Sequence, residues 1–171
     1  MRSLAIIAPG ATVVLATLVG VLPWGLGSPM QQLLPALTLL VACFWAREHV
    51  RRLPASLLFA SGLVVEALTG GPLGFWPLLY LTGLALAALI AWCAGPLRGL
   101  AGWIAVAVVV ALTATLAWLV ASAYFGELAE VRPVVLAGGI VIAAWPPVAL
   151  VLGVIARGLT RPPRLNLERQ G

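Results

Sequence analysis

Glu66 is the one acidic residue set inside an apolar run of this chain, and three residues later the sequence reads Thr69-Gly70-Gly71-Pro72-Leu73-Gly74. An ionised carboxylate within a membrane span costs ~2.5 to 3.5 kcal/mol or more, so a partner, a cavity or a neighbouring helix has to compensate for it. Its position four residues before Gly70 places it roughly 6 Å from the end of an apolar helix, at the helical rise of ~1.5 Å per residue. Two roles are open to it. The carboxyl group can bond locally, to the Thr69 hydroxyl or to a loop amide. Alternatively, Gly62, Glu66 and Gly70 share an i, i+4 face, and small residues flanking a polar one permit close helix approach, within a bundle or against another protein. That face makes Gly62, Glu66 and Gly70 candidate helix-packing or partner residues, and Gly71, Pro72 and Gly74 of the break that follows are candidates with them.

Chemistry of other kinds lacks its residues. Catalysis in or beside a bilayer needs titratable groups that act together, and this sequence has no Asp, no Lys and a single His. Carboxylate pairs, metal-ligand clusters and a phosphate loop with its Lys are thereby disfavoured. The expectation is a protein that is not an enzyme, with no catalytic residue, metal or cofactor. His49 lies in the arginine-rich stretch 47–52 beside Glu48, where an ordinary solvated or lipid-facing role fits it. Cys43 and Cys93 offer too little for a disulfide framework or a metal site and read as small buried hydrophobes.

The elements that must position Glu66 are apolar helices. Of the 171 residues, 63% are hydrophobic and 9% charged, well beyond the ~45 to 50% apolar usage of soluble domains. Runs of ~20 apolar residues cross a hydrocarbon core of ~30 Å. Six such runs are expected, at about 4–22, 30–46, 53–69, 75–93, 100–124 and 134–156. They make residues 1–157 one all-α polytopic bundle, followed by a basic tail at 158–171. The second and third runs are short, which suggests local thinning of the bilayer or a tilted, partly buried hairpin. The first resembles a signal peptide but lacks a clear small-residue cleavage site, so it reads as an uncleaved span with Pro9 as a kink.

Arginine placement orients the bundle. Arg2, Arg47, Arg51, Arg52, Arg98, Arg157, Arg161, Arg164 and Arg169 fall on one side and Arg132 alone on the other, so both termini are expected in the cytoplasm. The same placement accounts for the net charge of +5 without nucleic acid, leaving contact with anionic lipid headgroups to the tail. Trp24, Trp45, Trp76 and Trp92 lie near span ends, where indoles anchor at headgroup level. Gly138 and Gly139, the Gly95 and Gly99 pair, and Ala85, Ala87 and Ala88 read as close-packing sites. Pro146-Pro147 removes two backbone donors in mid-span and is expected to disrupt the last helix. No internal repeat supports an inverted-repeat transporter.

The stretch from Leu34-Pro35 through Phe44-Trp45-Ala46-Arg47, followed by Leu57-Leu58-Phe59-Ala60-Ser61-Gly62-Leu63-Val64-Val65-Glu66 and Gly70-Gly71-Pro72-Leu73-Gly74-Phe75-Trp76-Pro77, resembles the rod shape-determining protein MreD family. That family shows a Gly- and Leu-rich helix, an acidic residue and then Gly-Gly-Pro-Leu-Gly opening the next helix. Glu66 stands where the family usually has Asp, and Ala36 where a polar residue is common. The first and fifth runs match only as apolar helices. The resemblance implies a bacterial inner-membrane scaffold of the cell-elongation machinery, acting in cell shape and peptidoglycan synthesis. Its implied partners are MreC first, then MreB, RodZ, RodA and a penicillin-binding transpeptidase. It also implies an architecture similar to the S components of energy-coupling factor transporters, which makes a vitamin-binding transport component the rival reading. Gln31, Gln32, Glu127 and Glu130 are among the few polar groups that the outer loops offer such a ligand.

Overall fold

A computed structural model describes residues 2–25, 33–49, 53–95, 97 and 99–160, with backbone alone at 2–6, 48–49 and 159–160. It is all-α, with no strand among the described residues. The helices are α1 Arg2–Val21, α2 Ala36–His49, α3 Ala55–Thr69, α4 Phe75–Ala94, α5 Gly99–Phe125 and α6 Val131–Thr160. The basic tail from 161 onward, most of the loop after α1 and the side chain of His49 lie outside the described residues.

Three segments, Phe75–Ala94, Gly99–Phe125 and Val131–Gly158, are long and apolar enough to cross a membrane; Ile7–Val21, Ala36–Arg47 and Ala55–Thr69 are shorter apolar helices. The most apolar 18-residue window of the last long segment has a mean hydropathy of 2.2, yet only 17% of that window is buried. Leu136, Leu150, Val151 and Val154 along the segment are all exposed. An apolar surface of that extent needs an apolar solvent. The chain is a multi-pass helical membrane protein.

The short α2 is the core of the bundle. Every residue from 39 to 46 is buried, which an amphipathic surface helix with its single apolar stripe never shows. It packs against α1, α4 and α6. Polar pairs fix its register on α1: the Trp45 indole donates to Thr12 Oγ1 at 2.9 Å, and the Thr17 and Thr38 hydroxyls meet at 3.2 Å. Trp45 is thus 2% exposed and spans the α1–α2 contact, not the headgroup layer expected of it. Trp24 and Trp92 are exposed, as an interfacial anchor has to be, and Trp76 is half-buried. Cys43 is buried, whereas Cys93 is exposed on the last turn of α4.

Two helix limits differ from expectation for local reasons. α2 begins at Ala36, because Pro35 cannot donate within a preceding helical turn. α6 begins at Val131 and continues unbroken through Pro146 and Pro147 to Thr160. Its start is eased by Pro133, whose missing N–H falls in the first turn, where no helical acceptor exists.

The first of the two prolines inside α6 has a visible compensation. Pro146 leaves the carbonyl of Ile142 without its i+4 donor, and the Trp103 indole of α5 donates to that carbonyl at 3.0 Å. Four turns further along α5, on the same face, the Trp118 indole donates to Ala129 O at 2.7 Å. Ser122 Oγ accepts the Ala129 amide at 3.1 Å. Where no water reaches, an unsatisfied backbone group costs several kcal/mol, so these side chains fasten α6 antiparallel to α5 while removing that cost.

Candidate functional site

The joint between α3 and α4 is built around Glu66. Gly70 ends α3 in the left-handed conformation (φ 71°), its amide bonded to Glu66 O at 2.9 Å. Four residues on, Gly74 is again left-handed (φ 91°) and occupies the N-cap of α4 without any capping side chain of its own. A side chain would be strained at both positions. The two glycines, with Pro72 between them, reverse the chain and leave Leu73 at the tip, 91% exposed.

The capping oxygens come from the preceding helix. Glu66 Oε2 accepts the Gly74 amide at 2.9 Å and Oε1 accepts the Trp76 amide at 2.7 Å. The first turn of a helix ordinarily leaves its N–H groups without partners, and here each is accounted for. Phe75 donates to Pro72 O at 3.3 Å and Leu78 to Gly74 O at 3.1 Å, while Pro77 has no N–H to satisfy. The carboxylate also sits at the positive end of the α4 dipole. Glu66 is 2% exposed, and this arrangement compensates for its burial. Thr69 takes no part; its hydroxyl donates to Val65 O at 2.7 Å.

Gly62 permits the reach. One turn before Glu66, it lies so close to Pro77 that a Cβ there would stand 2.7 Å from the Pro77 Cα and Cδ. No side chain is tolerated at that separation, and only with the helices in contact do the carboxyl oxygens reach the α4 amides. Gly62 and Glu66 are therefore both occupied by α4. Gly70 and Gly74 are exposed in the loop, where a Cβ added to either would find nothing within 4 Å, and Gly71 and Pro72 are half-buried beside them.

From this joint the contacts continue inward. The Trp76 and Tyr80 rings pack at 5.7 Å between centroids, and the fully buried Tyr80 hydroxyl donates to Pro35 O at 2.8 Å. That bond attaches α4 to the start of α2. Nothing in the sequence pointed to Tyr80, because a hydroxyl is silent until its acceptor, forty-five residues away, is placed.

A cleft of about 280 Å³ opens between α2, α4, α5 and α6. Its walls are Leu33, Leu39, Trp76, Leu79 and small residues such as Ala137 and Gly138. The two hydroxyl groups that the described residues bring to it are turned to backbone carbonyls, Tyr80 to Pro35 and Thr113 to Val109 and Val110. Among the described residues, no group of three or more His, Cys, Asp and Glu residues could hold a metal ion, and no buried polar side-chain atom lacks a hydrogen-bond partner. Comparison with known proteins finds no matching family model, no matching curated protein and no matching solved structure.

Proposed function

We propose that this protein is a non-enzymatic scaffold of the bacterial cell-elongation complex, of the MreD type. In this reading all six helices span the inner membrane, both termini lie in the cytoplasm and the fold is arranged like an S component. The observation that carries it is the use made of Glu66. The segment on which the resemblance rests is a structural joint, with its carboxylate committed to two amides at 2.9 and 2.7 Å, and a fixed joint suits a part that holds others in place.

The cleft between α2, α4, α5 and α6 favours the scaffold over the vitamin-binding alternative. A ligand-binding pocket needs a few polar groups aimed into an apolar cavity, and the two hydroxyl groups that the described residues bring to this cleft are spent on the backbone. Since α4 covers Gly62 and Glu66, a membrane helix of MreC would meet α3 on its outward side, where Leu63, Val64 and Leu68 are exposed. MreB, RodZ, RodA and the transpeptidase enter through the resemblance.

Depletion in a rod-shaped host tests the reading. Cells should round or swell, with no vitamin requirement, and the tagged protein should co-purify MreC. Normal rods whose growth depends on an added vitamin would reverse the ranking of scaffold and transporter.

A further inference from the structure

At the opposite end of the bundle, the end of α2, the start of α5 and the middle of α6 enclose a cleft of about 610 Å³, within the range of small-molecule sites. Its walls include Phe44, Trp103, Trp145 and Pro146, and among the described residues Arg47 brings a charge to it. We infer that this cleft binds an anionic phospholipid from the arginine-rich leaflet, with its phosphate on Arg47 and the upper part of one acyl chain along the aromatic wall. The inference needs the membrane embedding described above but not the scaffold role.

The guanidinium is held in place. Its Cζ stands 5.7 Å from the centre of the Trp145 ring, and Nη1 reaches Gly102 O at 3.5 Å. Gly102 makes room for it, since a Cβ there would stand 2.5 Å from Nη2 and 3.1 Å from Nη1. A guanidinium fixed over an aromatic ring keeps its charge and offers a planar fork matched to phosphate oxygens. Gly99 and Leu100, the first residues of the 27-residue α5, line the cleft beside Arg47, so the positive end of the helix dipole adds to the cation.

The rim identifies the source of the anion. Leu100 and Leu150 at the mouth are 68% and 67% exposed, and a mouth rimmed by exposed leucines opens sideways into lipid. A water-borne phosphate ester would have to cross that rim, whereas a phospholipid already in the leaflet presents both the phosphate and the chain. Basic clefts between membrane helices at this level are suited to anionic headgroups.

Native mass spectrometry of the full chain, released from micelles doped with either phosphatidylglycerol or phosphatidylcholine, tests the site. Wild type should retain one phosphatidylglycerol in preference to phosphatidylcholine. Arg47→Gln should bind it about tenfold more weakly, the loss expected of one charge-assisted contact, and Arg47→Lys should recover part of the difference. Leu150→Trp, a change at an exposed position that leaves the guanidinium untouched, should block the mouth and lower retention even if Arg47→Gln proves unstable. Arg157→Gln, on the exposed end of α6, should behave as wild type. Equal retention by wild type, Arg47→Gln and Leu150→Trp would overturn the proposal. So would displacement of the lipid by millimolar inorganic phosphate, which would assign the cleft to a soluble anion.

Discussion

Replacing Glu66 by Leu removes the acceptor for two backbone amides at once. The Gly74 and Trp76 N–H groups, bonded at 2.9 and 2.7 Å, would be left in a site where the carboxylate itself is 2% exposed. Each orphaned buried donor costs about 1 to 3 kcal/mol, so the variant should lose about 2 to 6 kcal/mol. Glu66→Gln keeps one carbonyl oxygen and turns an NH2 donor toward the second amide, so it should lose about 1 to 3 kcal/mol, one bond's worth. Unfolding in mixed micelles titrated with sodium dodecyl sulfate, followed by tryptophan fluorescence, gives the ranking wild type, Gln, Leu. Hydrogen exchange supplies the local check: the Gly74 and Trp76 amides should exchange faster in both variants, and those of α6 should not change in Gln. A Leu variant within about 0.5 kcal/mol of wild type, the size of a neutral surface change, would refute the capping argument.

Gly62→Ala should destabilise by about 1 to 3 kcal/mol in the same titration, because its Cβ meets the Pro77 backbone and must push α3 from α4; Gly139→Ala, with nothing within 4 Å, should be neutral or stabilising. Trp103→Phe should cost about 1 to 3 kcal/mol by orphaning the Ile142 carbonyl. Its cost should shrink in a Pro146→Ala background, where residue 146 regains an N–H for that carbonyl, and an unchanged cost in the double-mutant cycle would disprove the coupling. For topology, the six-span reading puts nine of the ten arginines on one side, so reporters fused at Gly171 should read cytoplasm and those at Gly71 outside; a cytoplasmic Gly71 reporter would break the six-span arrangement.

Composition by itself determined the class. A chain with 63% hydrophobic residues and no Lys or Asp has too little polar surface for water, and the spacing of its breaks set the approximate ends of the helices. Gly70 and Gly74 read from the sequence as packing or partner candidates, and the structure makes them the left-handed residues of the reversal, with no neighbour packed against either. Glu66 was legible as a residue in need of compensation, but the sequence left open whether a loop amide, another helix or another protein supplied it. Only the tertiary structure decided that. A carboxylate states a desolvation cost at its own position, whereas the donors that meet the cost are fixed by the approach of α4 against Gly62. Trp45 and Pro146 follow the same logic. An indole near a span end fits a headgroup anchor equally well as a core donor until Thr12 is placed beside it. A mid-helix proline reads as a break until the Trp103 indole takes up the carbonyl it leaves. Local sequence carries the surplus or deficit of each polar group, and long-range packing settles where it is balanced.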